Sequence, residues 1–196
     1  MKKYWIMAVP PVVAAFVMAN AQRPEYVPVA KSPEPGKAPR LRVQLLTKPG
    51  EEPREYALIF GKGDEVASGL VEFAQQYGIT SAHFTGVGAL HDVTVGWMDR
   101  QKKAYKAIPI NTQVEVLTLA GDIAVYNDKP AVHTHLVVGL SDGSAKGGHL
   151  LRAHVFPTVE VMVTVDPVEM QKTFDPETGL ALIDPTKAAA QKQKRG

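Results

Sequence analysis

The chain is 196 residues long, carries no cysteine and has a formal net charge of +2. Without thiols it can form no disulfide, thiolate metal site or thiol nucleophile, so any metal chemistry must use nitrogen and oxygen donors. The positive charge is confined to the ends. Residues 22–184 hold 16 basic against 20 acidic side chains, a balance that repels phosphate and argues against nucleic acid as a partner.

The N-terminus reads Met1-Lys-Lys-Tyr-Trp, then an apolar run from Ile6 to Met18, then Ala19-Asn20-Ala21. A charged head, a short apolar stretch and a small-x-small site predict a secretory signal over residues 1–21. The run is shorter than the ~20 residues that span a bilayer and is broken by Pro10-Pro11, so no membrane segment is expected after cleavage. The expected location is periplasmic or secreted. Residues 22–40 contain five prolines among alternating charges and predict an extended linker. Residues 184–196 are polar and basic and predict a flexible tail; the folded domain is expected over 41–183.

Within that domain, Leu41–Leu46 and Tyr56–Phe60 predict strands. Val66, Leu70, Phe73, Ala74 and Tyr77 then recur on one face at helical period, with Asp64 as the expected N-cap and Gly78 at C′. Further strands are expected at Thr80–Val87, Leu90–Trp97, Ala104–Ile110, Val114–Leu119, Asp122–Tyr126, Val132–Leu140 and Val159–Val165, with turns at Asn127–Pro130 and Ser141–Gly143. One helix beside many antiparallel strands predicts an α+β fold, a single domain of mostly antiparallel sheet with the helix on one face. Val116, Leu117, Leu119, Val137, Val138, Val161 and Val163 are the expected core.

The chemistry concentrates on histidines. His133 and His135 are two apart in a strand, so both imidazoles leave the same face. His149 follows in Lys146-Gly-Gly-His-Leu150, where Gly147 and Gly148 permit a loop to fold back over a site. Three imidazoles with one open position would suit catalytic zinc, although imidazoles alone do not choose among Zn²⁺, Cu²⁺, Ni²⁺ and Fe²⁺. The bland alternative is a pair of strand histidines hydrogen-bonded to their neighbours. Among the scarce carboxylates, Glu115 in an otherwise apolar strand is the candidate general base. Gly86 and Gly88, between His83 and His91, are candidate anion-binding positions through their backbone N–H groups. His154 shares strand parity with Arg152 and is expected at the surface or an interface.

Phe84-Thr-Gly-Val-Gly-Ala-Leu90, Glu115-Val-Leu-Thr-Leu-Ala-Gly121, His133-Thr-His135, Gly147-Gly-His-Leu150 and Thr158-Val-Glu160 occur in an order that resembles the plant and prokaryote conserved (PPC) domain, also labelled a PD1-like DNA-binding domain. The resemblance covers roughly residues 55–166. It implies a compact α+β domain that assembles as a homotrimer and holds a metal, zinc, on the histidines matching His133, His135 and His149, near a subunit boundary. Plant members add an Arg-Gly-Arg-Pro hook that binds DNA; no such segment exists here. Two functions stay open. One is a metal centre that binds a small ligand or supports hydrolase or lyase chemistry, and the other is a non-catalytic assembly module with structural histidines.

Overall fold

The computed structural model describes residues 24–29, 33–187 and 189–190; the expected signal over 1–21 lies outside them. Twelve strands and one α-helix are present among the described residues. The strands are β1 (Tyr26–Pro28), β2 (Arg42–Leu45), β3 (Glu55–Phe60), β4 (Ala82–Asp99), β5 (Ala104–Ile110), β6 (Val114–Tyr126), β7 (Lys129–Gly139), β8 (Ala145–Val165), β9 (Val168–Glu169), β10 (Lys172–Phe174), β11 (Ala181–Ile183) and β12 (Ala189–Ala190). The helix, α1, runs over Val66–Gln76 between β3 and β4.

Eight strands form one antiparallel sheet in the order β1-β5-β4-β6-β7-β8-β3-β2. The sheet also closes on itself, because β4 pairs with β8 as well as with β6. Closure needs strands long enough to change partners. The first half of β4 lies between β6 and the end of β8, and its second half lies between β5 and the middle of β8. The expected breaks at Gly88-Ala89 and between Leu119 and Asp122 are therefore absent, and each pair of short strands is one long one. At Gly86/Gly88 a bulge shifts the register instead. Gly88 sits at φ +147, and a Cβ there would strike the Thr158 carbonyl.

Helix α1 covers the inner face. Leu70, Phe73 and Ala74 are buried against Leu58, Phe60, Leu136, Val138, Val161 and Val163, every second residue of their strands. Leu117 and Val137 are not in this core. The β-bulge between Val116 and Thr118 turns Leu117 outward, where it is 56% exposed, and Val137 alternates outward between Leu136 and Val138. Among the described residues no helix is long and apolar enough to cross a membrane.

The cap differs from expectation. Asp64 is fully buried, but its carboxylate accepts from the backbone of Arg40 and Gly61, both at 2.8 Å, and so is not available to the helix. Glu65 is the N-cap, accepting from Ala67 N at 3.2 Å and Ser68 N at 2.7 Å. Gly78 occupies C′ at φ +63, as the sequence predicts. The stretch 22–40 is also more than a linker. β1 pairs with β5, Lys37 N donates to Ser68 Oγ, and Ala38 is buried in the core. Within the expected tail, Pro185–Lys187 form a 3-10 turn and Ala189–Ala190 (β12) pair with β9; residues 191–196 lie outside the described residues.

Glu65 also accepts from Ala153 N in β8 at 3.0 Å, tying the helix to the sheet. Glu65→Ala is expected to lower unfolding stability by about 2–4 kcal/mol, since it removes a cap and leaves a buried N–H unsatisfied. Denaturant unfolding measures this directly; a loss under about 0.5 kcal/mol, the range of an ordinary surface substitution, would refute the assignment.

Candidate metal centre

A two-residue turn sets the site. Asn127 and Asp128 have φ of +50 and +59, the positive pair that a tight hairpin between right-twisted strands requires. That turn pairs Asp122 with His133 and Ala120 with His135 across β6 and β7. On the other side β7 pairs with β8 so that His135 stands opposite His149. The three imidazoles thus reach one outward patch, with ring centroids 5.0, 5.3 and 5.4 Å apart. One nitrogen from each lies within 4.8 Å of the other two.

Other side chains hold these rings. Asp122 Oδ2 lies 3.2 Å from His133 Nδ1, so Nε2 is the ring nitrogen this carboxylate does not engage. Lys172 Nζ lies 3.0 Å from the other oxygen of Asp122, and the lysine side chain is only 7% exposed. It arrives on β10, which follows a segment docked beside β6: Val125 N donates to Met170 O at 2.8 Å. Tyr105 stacks flat on His149, centroids 4.2 Å apart and planes 1° apart. Gly96 makes room for it, because a Cβ there would come within 3.0 Å of the tyrosine ring.

Burial determines the charge state. Desolvation, reinforced by the charges of His133, His135 and Lys172, pushes His149 down to about 3. Burial and then His133 also lower His135. Burial alone would raise Asp122, but hydrogen bonding to His133 and the nearby Lys172 ammonium outweigh it and hold the carboxyl below its ordinary range. At neutral pH the patch offers unprotonated His135 and His149, the form that binds metal. His149 Nδ1 is buried and has no hydrogen-bond partner among the described residues. A buried polar atom without a partner is costly. The donor set therefore fits a metal such as zinc, with an Asp122–His133 pair behind one ligand.

Glu115 does not join them within one chain. It is exposed and pairs with Gly139, four residues beyond His135, or about 13 Å along the strand. Gly86, Gly88, Gly147 and Gly148 each lie where neighbouring strands approach closely. A Cβ on Gly86 would meet Glu160 O at 2.8 Å, and on Gly147 and Gly148 would meet Leu136 O at 2.6 Å and Gly96 O at 2.8 Å. The Gly147-Gly148 segment is no loop but part of β8, whose start pairs with β7. His83, His91 and His154 bind carboxylates elsewhere: His83 that of Asp166, and the other two that of Asp92, each at 2.9 Å. A cavity of about 830 Å³ opens beside His133 and His149, walled also by Val27, Tyr105, Lys172 and Phe174.

The low His149 value has a consequence for stability. In an unfolded chain this ring protonates near 6.5, whereas in the folded chain it stays neutral to about 3. Below about 6.5 the unfolded state takes a proton that the folded state refuses, so stability present at neutral pH drains away as pH falls. The thermal midpoint of metal-free protein is expected to drop between pH 6.5 and 4.5, and His149→Gln to flatten that slope. A flat midpoint in the wild-type protein would contradict the burial of a neutral ring.

The chain resembles several known proteins. It is 30% identical over 148 residues to the bifunctional protein GlmU of Synechococcus sp. (strain JA-3-3Ab), a match covering 74% of this chain. The chain spans only 22% of the length of that curated relative. A Pyrococcus horikoshii plant- and prokaryote-conserved protein superposes with TM-score 0.64 at 26% identity, covering 75% of this chain and 96% of that one. A metal-containing protein from Archaeoglobus fulgidus superposes with TM-score 0.60 at 29% identity, covering 73% and 96%. The sequence pattern of the Plants and Prokaryotes Conserved domain matches residues 47–166, which include all three histidines and Asp122. With fold, motif order and sequence pattern in agreement, this chain belongs to the plants and prokaryotes conserved (PPC) domain family.

Proposed function

We propose that the protein is an exported metal-binding PPC protein whose His133, His135 and His149 hold a divalent cation, zinc in the first instance, and present it to a small ligand in the adjoining cleft. The observation that carries this reading is that His133, His135 and His149 each bring one imidazole nitrogen within 4.8 Å of the other two. The metal-containing relative from Archaeoglobus fulgidus supports it. A metal bound by three neutral donors keeps a position open, where it would polarise a carbonyl or acidify a bound water.

The residues favour ligand binding over hydrolase or lyase chemistry. Asp122, the carboxylate nearest the rings, is engaged by His133 and Lys172 and is poorly placed to accept a substrate proton. Glu115 is too far along the strand to act within its own chain, so a role as base requires a second copy. A homotrimer is the assembly we propose. Its support is the outward sheet face, where Val87, Leu117, Val137 and Met162 stand exposed on four neighbouring strands. Export rests on the signal-like residues 1–21, and the acidic balance of residues 22–184 disfavours nucleic acid.

Elemental analysis of purified protein tests the centre. About one zinc per chain is expected, and His149→Ala should abolish it while leaving the assembly intact by sedimentation. No metal in the wild-type protein, or dissociation when metal is removed, returns the histidines to a structural role. For the assembly, Met162→Glu is expected to convert a trimer to monomer with the fold retained by circular dichroism; a monomeric wild-type protein would refute the trimer.

A further inference from the structure

The family match ends at residue 166, yet the centre does not. Lys172 comes from beyond it and places its ammonium 3.0 Å from the carboxylate that supports His133. Its position is built rather than incidental. β10 pairs with β11, Asp184 N donates to Gln171 O at 2.8 Å, and Val125 N reaches Met170 O from β6.

The pairing settles the charge around the three rings. Asp122 is the only carboxylate within hydrogen-bonding reach of the three rings among the described residues, and Lys172 cancels it. A divalent cation on three neutral imidazoles then has no uncompensated carboxylate within hydrogen-bonding reach of its ligands, although Glu25 and Glu34 also line the cavity. In a partly buried site that imbalance favours an anion in the open position. The wall of the cleft continues the theme with apolar residues: Val27 from β1, and Phe174 and Leu182 from the β10–β11 hairpin.

We infer that Lys172 is a specificity-determining residue that turns the three-histidine centre into a receptor for small organic carboxylates with an apolar body, the carboxylate at the open position and the body against Val27, Phe174 and Leu182. This rests on the metal-centre reading above. Lys172 already acts on the rings electrostatically, being one of the charges that disfavour protonated His149.

The test is a charge cycle read by calorimetry, with Co²⁺ and then hexanoate as probes, on the full chain. Wild-type protein loaded with Co²⁺ should bind hexanoate, but neither hexanol nor inorganic phosphate. Lys172→Met uncovers the Asp122 charge, so it should bind Co²⁺ about tenfold more tightly and hexanoate about tenfold more weakly. Asp122→Asn leaves Lys172 unbalanced and should shift both affinities the opposite way, while its amide oxygen can still hold His133. The double variant should return both towards wild type, which guards against a merely destabilised Lys172→Met. Equal shifts of one sign in both single variants, or none, would overturn the role of Lys172. Hexanol binding as well as hexanoate would overturn the anion preference, and phosphate binding without hexanoate the apolar wall. Failure of wild-type protein to take up Co²⁺ would instead sink the metal reading itself.

Discussion

The site depends on strand register before it depends on any side chain. In antiparallel pairs, a slip of one residue would send His133 and His135 to the core face and Leu136 and Val138 to the outside. Two constraints prevent that. Leu136 and Val138 are buried under α1, and the Asn127-Asp128 turn admits one alignment of β6 with β7. Hydrophobic burial on one face thus aims the imidazoles on the other. Gly121 shows how tight the alignment is: a Cβ there would strike the His133 carbonyl and the Phe84 ring. The glycine is required for β7 to come close enough to present its histidines.

Given that register, electrostatics separates the three rings into roles. His133 is backed by a carboxylate, His135 is exposed and flanked by both others, and His149 is half-buried beneath Tyr105, its Nδ1 without a hydrogen-bond partner among the described residues. A buried ring that resists protonation to about 3 is a poor general acid near neutrality and a good neutral donor. Where a neutral donor has no hydrogen-bond partner, the cost of burying it stands.

Much of this was legible in the sequence. The helix followed from the spacing of Val66, Leu70, Phe73 and Ala74, and the His133–His135 pair from two-residue alternation. Asp122 was legible too, and passed over: a two-residue turn at Asn127-Asp128 places residues equidistant from it opposite one another, which pairs 122 with 133. Other features follow from tertiary context that local pattern does not carry. Gly147-Gly148 has the composition of a loop, but β8 uses its missing side chains to press against Leu136 and Gly96. Leu117 has the hydrophobicity of a core residue, but a bulge one residue away reverses its direction. Asp64 has the chemistry of a cap, but the backbone of Arg40, 24 residues earlier, reaches it first. Lys172 carries no local signal at all, since its partner lies fifty residues upstream on another strand.

That last contact bears on how a shared domain can serve different ligands. The histidines, Asp122 and the strands that align them lie within the family match, whereas β1 and the β10–β11 hairpin lie outside it and wall the cleft. Donor geometry is thus fixed by a closed sheet that tolerates little change, as the contacts of Gly88 and Gly121 show. Charge balance and cleft shape come instead from flanking segments: the edge strand β1 pairs with β5, and the separate β10–β11 hairpin follows a segment that meets the sheet at Val125 of β6. Replacing such a segment would change what reaches the centre without disturbing the register that builds it. A relative with the same three histidines but no cation in place of Lys172 would keep the Asp122 charge uncovered, and by the same electrostatics its centre would favour neutral ligands over anions.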